Sequence, residues 1–395
     1  MALTLDLFIF IILVVGWSLG KAVEVVKLPG LVGMTLGGIL LSLVFRYFGW
    51  VPPSSFSEIE PFIKSFALIV ILLRAGLGIS RSELNQAGWG AILMAFVPCM
   101  FEAITVSLLL HFVFGWELLQ SGMAGFMLAA VSPAVVVPSM LELKAQGKET
   151  HGVITTILAG ASADNAIAIT FFTALSALLS GTGVDTTQTT IMLPISILGG
   201  VALGLVAGFL MSWWFHHRHE HLRATEKSLL LILMALALVR LGNSIHLTAL
   251  LGVMVSGFVL LERSPRAAHE IASKLGKIWI VAQILLFVLI GLSLRPEQAL
   301  ATGFMPLVII GVGLVARSLG VFLALAPTHF NIKEKLFCVV SYFPKATVQA
   351  AVGGIALAMG LSHGQEILSL AIWAILITAP LGPTVIRYFS LHLLD

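Results

Sequence analysis

Residues 342–354 read Tyr-Phe-Pro-Lys-Ala-Thr-Val-Gln-Ala-Ala-Val-Gly-Gly, and residues 131–138 read Val-Ser-Pro-Ala-Val-Val-Val-Pro. Each stretch lies inside a long apolar segment, where a proline removes a backbone donor and tends to interrupt a helix. In many transporters two broken helices occupy matching places in inverted repeats, and the ion site lies between them. The two stretches therefore predict two broken helices with an ion site near the middle of the membrane. The alternative is that these prolines only kink packed helices, which is common in membrane proteins.

Composition indicates a chain that lies in lipid. Of its 395 residues, 58% are hydrophobic and 10% are charged, whereas about a quarter of the residues in a soluble domain are charged. Apolar stretches of roughly 17 to 25 residues recur, and each can cross a hydrocarbon core of about 30 Å as a helix. We predict an all-α membrane protein with about thirteen transmembrane segments. These are residues 4–20, 29–46, 58–78, 88–115, 118–142, 152–180, 190–214, 226–241, 246–262, 275–295, 304–326, 333–361 and 365–390.

The charges of the connecting loops predict the orientation. Loops after odd-numbered segments carry 14 Lys and Arg residues, and loops after even-numbered segments carry 3. Because basic loops stay in the cytoplasm, we expect the N-terminus outside and the C-terminus in the cytoplasm. The first segment has neither a basic start nor a small-residue cleavage site, so we interpret it as a retained helix. We expect an integral protein of a bacterial inner membrane.

The two proline stretches also indicate an internal repeat. Each lies in the middle segment of a trio, segments 4 to 6 and segments 11 to 13. Equivalent segments are seven apart, so the two trios cross the membrane in opposite directions, as in inverted-repeat transporters. The predicted breaks are marked by Pro133 and Pro138 in the first repeat and by Pro344 and Thr347 in the second.

Asp164 is the strongest candidate for the ion site. It lies in the sixth predicted segment, and no other charged residue occurs between Glu149 and Asp185. An ionisable side chain at this depth costs about 2.5 to more than 10 kcal/mol, which makes it a functional candidate. A buried carboxyl group holds a proton more readily than an exposed one and releases it when a cation takes its place. The same group can therefore serve a monovalent cation and a proton in turn. We expect Ser132, Ser162 and Asn165 to add neutral oxygens, which suit a hard cation.

Three other charges are predicted to balance or gate this site. Glu102 lies in the fourth segment, Arg317 in the eleventh and Lys345 directly after the second break. A buried charge needs a partner, so we expect Arg317 to pair with Glu102 or with Asp164. A static ion pair that holds two helices together is an equally open interpretation of Glu102 and Arg317. Lys345 is expected to offset exposed carbonyl dipoles of the broken helix, or else to extend to a membrane interface.

These residues resemble the cation:proton antiporter superfamily, and within it the NHA-type sodium/proton antiporters related to bacterial NapA. The likeness runs over nearly the whole chain, and the two proline stretches are its most specific parts. The residues that carry it are Lys27-Leu28-Pro29-Gly30 with Gly33, Leu73-Arg74-Ala75-Gly76-Leu77, Val131 to Pro138, Ala161-Ser162-Ala163-Asp164, Arg317, and Phe343 to Ala350.

The resemblance implies a fold and a mechanism. The fold is of the NhaA/NapA type, with a core that moves like an elevator against a dimerisation domain and exchanges sodium or lithium for protons. Carried over to this chain, residues 1–87 form scaffold and dimerisation helices, and residues 88–180 form the first core repeat. Residues 181–303 hold a linker helix and further scaffold helices, and residues 304–395 form the second core repeat. It also implies a homodimer in lipid that needs no cofactor and binds no nucleic acid.

One position departs from the resembled family. Its members usually carry two adjacent aspartates where this chain reads Asp164-Asn165, and the second is generally assigned as the principal ion ligand. With one carboxylate fewer, we expect electroneutral exchange, because one carboxylate neutralises either one monovalent ion or one proton. The other interpretation is that Asn165 impairs transport or imitates a protonated state.

Four other functions compete with sodium/proton exchange. The chain shows no nucleophile and base pair and no phosphate loop, so an enzyme is disfavoured. Potassium/proton exchange stays open, because selectivity depends on ligand distances. A sodium-coupled symporter of an organic solute needs a polar, roomy cavity, and residues 135–137 are all valine. A channel would carry currents without proton exchange.

Overall fold

The computed structural model describes residues 3–25, 30–78, 81–148, 150–179, 186–218, 222–245, 247, 249–293 and 303–394. The regular elements of these ranges are helices. In chain order they are α1 Leu5–Val25, α2 Gly30–Phe48, α3 Ser54–Gly76, α4 Arg81–Phe112, α5 Leu118–Ala129, α6 Pro133–Ala145, α7 Val153–Leu179, α8 Thr186–Arg218, α9 Ala224–Ser244, α10 Ala249–Arg263, α11 Pro265–Ser293, α12 Met305–Ala324, α13 Ile332–Ser341, α14 Thr347–Val352, α15 Ile355–Ala358 and α16 Gly364–Leu393.

Within the described ranges, eight helices are long and apolar enough to cross a membrane. Shorter apolar helices, such as Leu118–Ala129, lie among them. The chain therefore forms an all-helical membrane protein, as the composition predicted. The motif residues 27–29 and the side chain of Ser162 fall outside the described part of the chain.

Buried apolar side chains form three large groups. One joins α1, α2 and α3 to α9, α10 and α11 and extends to α6 and α16. The second joins α4, α5, α7 and α12 to α14 and α16, and the third joins α4, α6, α7, α12, α13 and α16. The second and third groups share the long helices α4, α7 and α12. These three helices therefore lie alongside both halves of the interrupted pairs α5–α6 and α13–α14.

Both predicted breaks coincide with non-helical backbone. Helix α5 ends at Ala129, and the chain is extended at Ala130 before α6 begins at Pro133. Residues 342–346 separate α13 from α14. The two breaks touch, because the Ser132 N–H donates to the Pro344 carbonyl at 2.8 Å.

Two predicted features of the segments are wrong. Pro138 does not break a helix, because it lies inside α6. It follows Pro133 by five residues, so the carbonyl with which it interferes belongs to the first turn, and a transmembrane helix tolerates that loss. Helix α11 begins at Pro265 and not at residue 275, because Ala267, Ala268 and Ile271 are buried in the first of the three apolar groups. Helix α4 starts at Arg81, but it is kinked at Gly88, whose φ is 54°, and its apolar span runs from Gly88 to Phe112, which agrees with the predicted segment 88–115.

Candidate cation site

Four charged side chains meet inside the protein. Glu102 comes from α4, Asp164 from α7 and Arg317 from α12, and Lys345 lies in the second break. Each residue is at most 1% exposed. Charges are buried this deeply when they are paired with one another. The sequence predicted all four as site residues, and the structure brings them together.

The Asp164 carboxylate contacts the first break and one cation. Its Oδ2 accepts a hydrogen bond from the Val131 backbone N–H at 3.0 Å. Its Oδ1 lies 3.3 Å from Nη1 of Arg317. The N–H of an interrupted helix must find a partner within the protein, because no water is available in lipid. Asp164 therefore lies against the broken backbone, as its place in the sixth segment predicted.

Glu102 holds the two buried cations. Its Oε2 accepts from Nε of Arg317 and, at 2.6 Å, from Nζ of Lys345. Of the two pairings expected for Arg317, both are present. Neither role expected for Lys345 is found: among the described residues its ammonium group pairs with the Glu102 carboxylate, and its side chain is buried and does not extend to an interface. A charged hydrogen bond to Glu102 offsets more of the cost of burial than carbonyl dipoles would.

Five neutral oxygens in or next to the breaks have no hydrogen-bond partner among the described residues. They are Oγ of Ser132, Oδ1 of Asn165, Oη of Tyr342, Oγ1 of Thr347 and Oε1 of Gln349. The amide nitrogen of Asn165 is occupied, since it donates to the Ala161 carbonyl at 3.2 Å. A buried oxygen without a donor is costly, and in native proteins it usually has a role. Carboxylate, carbonyl and hydroxyl oxygens are the ligands of hard cations, so this set fits a monovalent metal ion.

Two residues that the sequence analysis missed support the broken backbone. The amide nitrogen of Gln349 donates to three carbonyls near the end of α5, those of Met127, Leu128 and Ala130, at 2.9, 3.3 and 2.8 Å. The Thr378 hydroxyl accepts from the Lys345 N–H at 2.7 Å. A signal existed for Gln349, because an uncharged amide in an apolar segment next to a break needs partners.

A cavity of about 440 Å³ lies away from this site, between α1, α2, α3 and α11. Its lining includes Phe8, Phe45, Trp50 and Phe56, and none of the four buried charges borders it. This cavity is therefore not the roomy cavity at the breaks that a symporter of an organic solute would need.

The sequence matches the family model described as sodium/hydrogen exchanger, transmembrane, over residues 9–390. The chain belongs to the sodium/hydrogen exchanger family. Human sodium/hydrogen exchanger 9B2 is 32% identical to this exchanger over 406 aligned positions, which cover 95% of this chain and 73% of the human protein. Mouse sodium/hydrogen exchanger 9B1 is 31% identical over 395 positions, covering 95% of this chain and 69% of the mouse protein.

A solved structure shares the fold of this exchanger. The structure of the sodium proton antiporter MjNhaP1 from Methanocaldococcus jannaschii at pH 8 superposes with a TM-score of 0.84. The match covers 98% of both chains at 19% identity. The cation:proton antiporter fold expected from the resemblance is thus confirmed. The exchanger is an integral membrane transporter and not an enzyme.

Proposed function

We propose that this exchanger carries sodium or lithium in exchange for protons, with the Asp164 carboxylate as the shared site. The single observation that supports this most strongly is the placement of Asp164. Its carboxylate is fully buried, yet it contacts the first broken helix through the Val131 N–H. The unpartnered oxygens of Ser132, Asn165 and Thr347 would supply the remaining ligands. Ser162 stays in the predicted ligand set.

The charge balance around Asp164 favours competition for one carboxylate. Glu102 and Asp164 together offset Arg317 and Lys345, so the four groups sum to zero when all are ionised. Because Glu102 contacts both cations, Arg317 keeps only a long contact with Asp164, at 3.3 Å. A weakly held carboxylate can release Arg317 and accept either a metal ion or a proton. Glu102 and Lys345 thus act as charge compensation for the site.

The exchange is proposed to be electroneutral. Asn165 directly follows Asp164, is 1% exposed and carries no charge. One carboxylate binds one monovalent cation or one proton, so each exchange of the two leaves the charge of the core unchanged. Protons and sodium or lithium are the only transported species in this scheme, and no cofactor takes part.

Alternating access is proposed to follow from movement of the core. Residues 88–180 and 304–395 would form two inverted repeats with crossed broken helices, and residues 1–87 and 181–303 the scaffold and linker. The packing supports this division, because α4, α5, α7 and α12 share one buried apolar group and α1, α2 and α11 share another, which contacts the proposed core through α6 and α16. We further propose thirteen spans, an NapA-like subtype, a homodimer, an outside N-terminus and a cytoplasmic C-terminus. The bacterial inner membrane stays a prediction.

The test is exchange in proteoliposomes that hold a pH-sensitive dye. Sodium, lithium and potassium are added in turn to vesicles with the wild type and with Asp164→Asn. We expect dye responses to sodium and lithium in the wild type and none in the variant. Asp6→Asn, at an exposed position of α1, removes the same charge elsewhere and should leave exchange unchanged. Full activity of Asp164→Asn would refute the assignment, and a response to potassium alone would replace sodium as the substrate.

A further inference from the structure

Gln349 lies directly after the break of the second broken helix and connects this helix to the first. It is the third residue of α14 and is 1% exposed. Its amide nitrogen donates to the carbonyls of Met127, Leu128 and Ala130. The last carbonyls of a helix have no partner inside that helix and carry its partial negative charge. One side chain of the second repeat therefore caps the interrupted helix of the first repeat.

One of these contacts reaches Asp164 through a single peptide unit. The Ala130 carbonyl accepts from Gln349 at 2.8 Å, and the adjoining Val131 N–H donates to Asp164 at 3.0 Å. The carbonyl and the N–H belong to the same planar peptide group. Hydrogen bonds in such a chain polarise one another, by perhaps 10 to 30% per bond. The donor from Gln349 thus strengthens the hydrogen bond that the peptide gives to Asp164.

We propose that Gln349 is a positioning residue that sets how tightly Asp164 holds its proton or cation, by polarising and fixing the peptide between residues 130 and 131. This inference rests on the proposed function of Asp164. Gln349 also neutralises the negative end of α5, which would otherwise attract cations to the same place. The polarised peptide and the neutralised end of α5 act in the same direction, because both weaken the binding of a proton or cation to the Asp164 carboxylate.

The test compares pH profiles of exchange for Gln349→Met and the wild type in the proteoliposome assay. Methionine keeps the length of the side chain and removes both donors. We expect the pH of half-maximal exchange to rise by about 0.3 to 1 unit, that is, a two- to tenfold gain in apparent proton affinity. Complete loss of the hydrogen bond from the Val131 N–H to Asp164 would change the apparent proton affinity by roughly ten- to a hundredfold. The maximal rate should stay within about twofold, because Asp164 itself is intact.

Gln120→Met is the matched control. Gln120 is a buried glutamine of α5, and its oxygen accepts from the Ser362 hydroxyl at 3.1 Å and the His363 N–H at 3.2 Å. It also joins α5 to the second repeat, but at the opposite end of the helix from the break. Its substitution should lower thermal stability and leave the pH profile in place.

The outcomes separate this inference from the proposed function. An unshifted profile for Gln349→Met, or an equal shift for Gln120→Met, would overturn the role of Gln349 while Asp164→Asn stays inactive. Activity of Asp164→Asn would overturn the proposed function itself. If Gln349→Met does not fold, Gln349→Glu serves instead, because its protonated carboxyl group has the same shape and keeps one donor. For Gln349→Glu, a pH of half-maximal exchange between that of the wild type and that expected for Gln349→Met supports the inference. A pH profile equal to that of the wild type contradicts it.

Discussion

Replacing Glu102 with glutamine removes one negative charge from the buried network and keeps the shape of the side chain. In the wild type, Glu102 binds Arg317 through Nε and Lys345 through Nζ at 2.6 Å. Without that charge, Asp164 is the carboxylate left to the two cations within this network. Arg317 already lies 3.3 Å from Asp164, so it closes on the group proposed to bind sodium.

The size of the effect follows from the bond that forms. A hydrogen bond to a charged group contributes about 1.5 to 3 kcal/mol, and sodium must now displace it. Since about 1.4 kcal/mol corresponds to a factor of ten, the KM for sodium should rise by roughly ten- to a hundredfold. Removal of one partner from a buried pair also costs about 3 to 5 kcal/mol of stability, so the variant should melt at a lower temperature.

The assay is sodium-dependent exchange in proteoliposomes, with thermal melting of the purified protein alongside. Glu270→Gln is the control. Glu270 pairs at 2.8 Å with Lys227, whose side chain is 2% exposed, and neither residue belongs to the network of four buried charges. This control should lose stability and keep its KM. A folded Glu102→Gln protein whose KM stays within twofold of the wild type would show that Glu102 does not hold Arg317 away from Asp164.

Two further predictions concern neighbours of the site. Asn165→Asp adds a second carboxylate beside Asp164, so exchange should become sensitive to membrane voltage. The measurement uses an imposed potassium diffusion potential, and an unaltered response would refute the proposed link between carboxylate count and charge balance. Thr378→Val removes the hydroxyl that accepts from the Lys345 N–H, leaving a buried donor unpaired at a cost of about 1 to 3 kcal/mol. Its melting temperature should therefore fall, and unchanged melting would show that the N–H finds another partner.

Much of the architecture could be predicted because the membrane restricts the chain so strongly. Apolar segments must be helical in lipid, and prolines at residues 133 and 344 mark the two interruptions. Asp164 was identifiable from its isolation among apolar residues. Pro138 misled the prediction, since proline in the first turns of a helix is tolerated and sequence does not give the distance to the helix start.

The partners of the buried charges could not be predicted. Lys345 and Glu102 are 243 residues apart in the chain, and their contact depends on how α4 crosses the second break. The partners of Gln349 could not be predicted for the same reason, although its amide in an apolar segment indicated that it needs partners. Its three acceptors are backbone carbonyls more than 200 residues away, and backbone groups leave no mark in a side-chain pattern. The start of α11 at Pro265 was missed because Arg266, Glu270 and Lys274 lower the hydropathy of a stretch that is nevertheless helical.

Proton release on sodium binding tests the shared site most directly. Purified exchanger in weakly buffered detergent, at a pH where Asp164 is protonated, is titrated with sodium chloride while a soluble dye reports the pH. A ligand must lose its proton before a metal ion can bind, so the wild type should release about one proton per bound sodium ion, and Asp164→Asn should release none. Proton release of equal size from Asp164→Asn would contradict the account.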